Sequence, residues 1–246
     1  MKPHEMSRAA LEQTASHHEQ AMNRLRKAVG LIGFALPVLL LISVAVFKVE
    51  MQDSISEFFF TAMRDVFVLT LTGIGVFLIT YYGHDPDEGD ILTDWGLSTI
   101  AGVTALGVAL IPTMCNATNC YSPLTFFDRL ITSDSAQNIL HFGAAGIFFT
   151  ALALMCLKLF TKSDRPSPGP LKSRRNRIYR LCGWVILTMV AALFVVKLVL
   201  GDPWGWDESW HFTFWAEAIA VWAFAIAWLV KGEAMAGTMP FLHGAD

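Results

Sequence analysis

The chain has 246 residues, 54% of them hydrophobic and 16% charged, with mean hydropathy +0.48 and a formal net charge of −3. Soluble domains carry about 25% charged residues, so this composition excludes an ordinary water-soluble globule and points to a multi-pass membrane protein. The length suits one all-α bundle rather than two domains, and no secretory leader is expected, because residues 1–27 are long, polar and mixed in charge.

Residues 5–27 lack Pro and Gly and are rich in good helix formers. They predict a cytoplasmic N-terminal amphipathic helix over 1–27, with His4, His17 and His18 in solvent. A membrane domain follows over 28–232, and 233–246 is a cytoplasmic tail. The first span is Ala28–Phe47, with Pro37 as a kink tolerated inside a bundle. Before the second span, Ser54-x-x-Glu57 has the form of a capping box, in which the two side chains satisfy free N–H groups at a helix start. The expected helix therefore begins near residue 55 and runs to Tyr82, and its last 17 residues, from Val66, carry no charge. At 1.5 Å per residue, Arg64 and Asp65 would lie roughly 15 Å past its start.

The acidic 83–94 loop, with Asp85, Asp87, Glu88 and Asp90, misses the EF-hand spacing and is expected as a solvated turn. Span 3 is placed at 95–112, span 4 at 138–160, span 5 at 178–200 and span 6 at 210–230, making a six-helix transmembrane bundle whose members approach the ~20 residues needed to cross hydrocarbon. Small residues that allow close packing in lipid mark spans 2, 3, 4 and 6 as inner contacts. They include Gly73 and Gly75, Ala101, Ala105 and Ala109 with Gly102 and Gly107, Gly143–Gly146, and the alanines of span 6. Trp204, Trp206 and Trp210 form an interfacial belt at the start of span 6, and Trp215 sits deeper.

Lysine and arginine in short loops set orientation. Arg24, Arg26 and Lys27, the basic 162–177 segment and Lys231 fall on one side, while the loops 48–54, 113–137 and 201–209 carry only Lys48 and Arg129. Both termini are therefore expected in the cytoplasm of a bacterial inner membrane. Cys115 and Cys120 fall outside, where oxidation is allowed, and are expected as a disulfide. Cys156 and Cys182 are expected as small buried hydrophobes. Arg174, Arg175, Arg177 and Arg180 suit anionic lipid headgroups. Nucleic-acid binding is not suggested by a short, membrane-flanking basic run without interleaved aromatics.

Four ionisable residues are predicted at one depth in the outer half: Arg64, Asp65, His141 and Glu217. Lys197 could join them or snorkel to the surface. Ionisable side chains within spans are costly unless paired and mark function by default. With Trp215 and His211 they form the candidate ligand or ion site. Three functions fit: a small-ligand or ion binding or transport-related role, a membrane-embedded hydrolase using Asp65, His141, His211 and Glu217, and a structural or accessory subunit held by an ion-pair clamp. No metal site and no cofactor is predicted. Alkaline ceramidases carry a paired H-x-x-x-H on one helix, whereas here His211 is followed four residues later by Trp215. The chain does resemble a group of uncharacterised six-span bacterial integral membrane proteins. The likeness rests on Arg64-Asp65, Ala101-Gly102 to Pro112-Thr113, His141-Phe142, Arg175-Asn-Arg-Ile-Tyr179, Cys182-Gly183, Phe214-Trp-Ala-Glu217 and Lys231-Gly-Glu233. It implies a bacterial cytoplasmic-membrane protein and no activity.

Overall fold

A computed structural model of the chain describes residues 3–83, 93–113, 125–162 and 169–236. Every regular element among them is helical. α1 (Pro3–Phe47) is one rod of 45 residues that continues through Pro37, so the N-terminal helix and the first span are a single element. A 3₁₀ turn over Ser56–Phe60 follows, then α2 (Arg64–Thr80) and α3 (Asp94–Leu110), then the short α4 (Phe126–Leu130). α5 (Asp134–Leu154) and α6 (Pro170–Leu193) each end in a wider π-helical turn, and α7 (Trp206–Trp210) leads into α8 (Phe212–Ala236).

Four stretches are long and apolar enough to cross a membrane: Gln13–Phe47, Asp134–Leu159, Pro170–Val199 and Phe212–Gly232. α2 and α3 have 17 residues each, about 25 Å at 1.5 Å per residue. Of the six expected spans, these two fall short of the usual length.

The second expected helix is corrected most. It does not run from residue 55 but breaks at Thr61, whose backbone is extended (φ −116°, ψ 177°). The Thr61 hydroxyl accepts the Met63 N–H at 3.1 Å, and the Thr61 carbonyl accepts the Arg64 N–H at 3.2 Å. Threonine thus offers the backbone a local turn in competition with the helix. Arg64 and Asp65 consequently open α2 instead of sitting two turns inside it. The capping signature is real, but it closes one 3₁₀ turn: the Glu57 N–H donates to the Ser54 hydroxyl at 3.1 Å, and the Glu57 carboxylate accepts the Asp53 N–H at 3.1 Å.

Helix packing follows chain order. α1 lies against α2, α2 against α3, α3 against α5, α5 against α6, α6 against α8, and α8 returns to α1. α2 and α3 cross with their backbones close together. A Cβ on Gly102 would meet the Gly75 carbonyl oxygen at 2.5 Å, and one on Gly75 would meet the Gly102 oxygen at 3.0 Å. Ala101, Ala105 and Ala109 are fully buried as expected. Gly73, Gly143 and Gly146 are not packing points, since a Cβ on any of them would meet nothing within 4 Å. Cys156 and Cys182 are buried free thiols, whereas Cys115 and Cys120 lie outside the described residues.

Trp228 of α8 fills the circuit towards the end where α1 begins. Its ring centroid lies 5.2 Å from Phe77, 5.1 Å from Tyr81, 5.2 Å from Phe160 and 6.1 Å from Phe224. The opposite end is filled by the 3₁₀ turn, which buries Phe58 and Phe59 and sets Phe58 5.9 Å from Phe214 of α8.

Candidate ligand-binding site around the Ser54–Phe60 turn

Three consecutive phenylalanines cannot all face one direction. The 3₁₀ turn buries Phe58 and Phe59 and presents the N–H of Ile55 to a polar side chain of another helix. The Ile55 N–H donates to the Glu217 carboxylate of α8 at 2.7 Å. His141 of α5, 1% exposed, lies 2.6 Å through Nδ1 from the Ile111 carbonyl and 3.0 Å through Nε2 from the Ser56 hydroxyl. A carbonyl can only accept, so Nδ1 carries a proton, and in the neutral ring Nε2 is then the acceptor and Ser56 donates to it. The turn is thereby fastened from α5 and α8 at once.

A second set of bonds holds the start of α8. His211 links α7 to α8 in the left-handed region (φ 49°, ψ 49°), which is strained for a side-chain-bearing residue. Its Nδ1 lies 2.8 Å from the Asp53 carboxylate, and the Asp53 carbonyl accepts the Phe214 N–H at 2.7 Å. Asp207 caps α8 from a distance, accepting the Thr213 N–H at 2.8 Å and the Thr213 hydroxyl at 3.1 Å. Lys197, in the π-helical turn that ends α6, pairs with Asp207 and lies 3.7 Å from Asp202. Asp202 in turn accepts the Trp206 N–H at 2.9 Å and the Asp207 N–H at 3.3 Å.

Electrostatics outside the long helices follow these contacts. Burial pushes the Glu57 carboxyl up, and the neighbouring Asp53 charge adds to the effect. The Trp206 N–H holds the Asp202 carboxyl below its ordinary range, with the Asp207 N–H and Lys197 helping against some loss of solvent.

The expected four-residue cluster is therefore divided. His141 and Glu217 both reach the 3₁₀ turn, but through different atoms of it. Arg64 instead lays its guanidinium 4.2 Å from the Phe59 ring centroid, a cation–π contact, and Asp65 is exposed. Both follow from the break at Thr61, which lifts the pair out of the circuit; Asp65 gains the favourable end of the helix dipole in the first turn of α2. Lys197 is committed to Asp207, and His211 to Asp53. Trp215 is exposed at 41%, and Trp204 stacks on Trp206 at 4.9 Å, also exposed. Among the described residues no three His, Cys, Asp or Glu side chains are close enough to hold a metal ion. Of the four residues proposed for a hydrolase, His141, Glu217 and His211 each bond to the 53–56 segment, and Asp65 is exposed. Arg174, Arg177 and Arg180 are exposed and Arg175 is half-buried.

Asp53 and Ser56 contribute to the site without having stood out in the sequence. Ser56 sits inside the capping signature, where its hydroxyl has no assigned task. No family model, no curated protein and no solved structure matches the chain. Fold and site together define an all-helical membrane protein with one end of its helix circuit closed by a polar-fastened turn.

Proposed function

We propose that the chain is a six-span protein of a bacterial cytoplasmic membrane, with both termini in the cytoplasm, that binds a proton or small cation at Glu217 in a transport-related role. The reading of α2 and α3 as short spans is supported by their place in the circuit between α1 and α5. The orientation rests on the basic residues, and it puts Cys115 and Cys120 where they would form a disulfide.

One observation carries the functional reading. Glu217 is held by a single N–H, from Ile55, and among the described residues no cation pairs with it. Glu57 and Asp207 are near enough for their charges to act on it. A half-buried carboxylate between helices without a counter-charge is costly, and a proton or a cation relieves that cost. The test is proton and cation binding to the purified protein, compared with Glu217→Gln, which keeps an acceptor for Ile55 but no charge. Proton release on adding sodium or potassium, or cation-dependent stabilisation, should be present in the wild type and absent in the variant. Equal behaviour of the two proteins would overturn the reading.

A structural role is the second reading, favoured by the fact that His141, Glu217 and His211 all bond to protein atoms of the 53–56 segment. It predicts that Glu217→Gln changes stability alone.

A further inference from the structure

The opposite end of the circuit holds two enclosed cations. Arg26 of α1 and Lys231 of α8 are 9% and 8% exposed. The helices that carry them touch closely there, since a Cβ on Gly232 would lie 3.1 Å from the Lys27 nitrogen and 3.2 Å from the Asn23 carbonyl oxygen. Neither cation meets a carboxylate in a described ion pair. The Arg26 guanidinium donates from Nη1 to the Asn23 side-chain oxygen at 3.0 Å and from Nη2 to the Tyr81 hydroxyl at 3.5 Å, both neutral partners. Its Nε is buried with no hydrogen-bond partner. The Lys231 ammonium lies 5.1 Å from the Phe160 ring centroid, and no hydrogen bond or ion pair joins it to any described residue. Lys172 enters the same neighbourhood, donating to the Phe160 carbonyl at 2.9 Å.

The charges of Arg26, Lys172 and Asp94 all act on Lys231. Among the described residues neither Arg26 nor Lys231 has a carboxylate partner, so positive charge gathers where solvent is nearly excluded. Enclosed charges of that kind are ordinarily paired, and the open Nε of Arg26 is half of the planar fork that grips tetrahedral oxyanions. Lys231 supplies the second, point-charge contact typical of phosphate sites.

We infer that Arg26 and Lys231 form a binding site for a phosphate-bearing anion, at the end of the helix circuit remote from the Ser54–Phe60 turn. The phosphate belongs either to an anionic lipid headgroup or to a soluble phosphate from the aqueous phase. This site is independent of Glu217 and stands whether or not that residue binds a cation.

The test measures the unfolding midpoint of the full chain under two supplies of phosphate. In one arm the protein sits in phosphatidylcholine nanodiscs with or without added phosphatidylglycerol. In the other it is in neutral detergent titrated with inorganic phosphate against sodium chloride of equal ionic strength. A rise in the first arm alone assigns the headgroup, and a rise in the second assigns the soluble anion. Either rise should need at least about tenfold more ligand in Lys231→Met and in Arg26→Gln, and should be unchanged in Arg24→Gln, an exposed basic residue of the same helix. Two variants are used so that a folding failure in one leaves the other decisive. No rise in either arm, or a rise that survives in the folded variants, overturns the site.

Discussion

His141 and Ser56 stand 85 positions apart and share a 3.0 Å hydrogen bond from the serine hydroxyl to the imidazole Nε2. Because the other ring nitrogen is committed to Ile111, this bond decides whether a buried histidine is satisfied on both sides. Ser56→Ala leaves Nε2 enclosed without a donor, which costs about 1–3 kcal/mol. His141→Phe removes the need for that donor, so Ser56→Ala should cost much less when His141 is already phenylalanine. Chemical or thermal unfolding of the four proteins in detergent measures the coupling. A coupling below roughly 0.3 kcal/mol, the scatter expected for independent sites, would mean that the turn is not fastened here.

Gly102 and Gly73 give opposite expectations for one added methyl group. At Gly102 the methyl would press on the Gly75 carbonyl at 2.5 Å, a backbone atom that cannot swing aside. Gly102→Ala should push α2 from α3 and destabilise by about 1–3 kcal/mol, as overpacking does. At Gly73 the methyl meets nothing within 4 Å, so Gly73→Ala should be neutral or gain up to about 1 kcal/mol from helix propensity. Unfolding midpoints of the two variants test the crossing, and equal shifts would contradict it.

Acidification should act on the connecting segments with two opposite signs. Burial raises the Glu57 carboxyl above its ordinary 4.5, so the folded state holds that proton more tightly than the unfolded chain. Its contribution to stability is full below 4.5 and is lost as pH rises through the raised value. Glu57→Gln, which imitates the protonated form, should be more stable than the wild type at neutral pH and equal to it in acid. Asp202 is the reverse: its carboxyl, held below 3.8 chiefly by the Trp206 N–H, contributes above 3.8 and loses that contribution as pH falls through the lowered value. Asp202→Asn should therefore be the less stable protein at neutral pH, with the gap closing only in strong acid. Midpoints recorded across pH for both variants check the two signs separately.

The parts of this fold that local chemistry determines could be read directly from residues. Long apolar runs mark the four membrane-length helices, whereas the side-chain caps Thr93 and Ser133 and the Pro170 start of α6 lie ahead of the expected spans at 95–112, 138–160 and 178–200. The break at Thr61 was hidden because Ser54 and Glu57 give the same capping signature ahead of one turn or of seven. What chooses is the burial of Phe58 against Phe214 of α8, with Phe59 also buried, which no window around residue 55 contains. The candidate site was half visible for the same reason. His141 and Glu217 stand out as ionisable groups in apolar runs, but their partners Ser56 and Ile55 are 85 and 162 positions away. Equal depth along separate helices suggested that Arg64 and Glu217 would meet. Depth was counted from a helix start that the tertiary packing moved.

Asp207 and Lys197 form one ion pair whose two members should differ widely in importance. Lys197 is partly exposed, and removing an exposed partner usually costs about 0–1 kcal/mol. Asp207 is buried and also accepts two hydrogen bonds from Thr213, so it performs the capping of α8 whether or not lysine is near. Loss of a cap costs about 0.5–2 kcal/mol, and Asp207→Ala would in addition leave the Thr213 hydroxyl and the Lys197 ammonium without that partner. Lys197→Met should thus be mild and Asp207→Ala severe, with the double variant no worse than Asp207→Ala. Because α8 also carries Glu217, the aspartate variant should loosen the contact between Glu217 and Ile55, read as faster hydrogen exchange at the Ile55 amide. If Lys197→Met proved as damaging as Asp207→Ala, charge pairing and not capping would hold this end of α8.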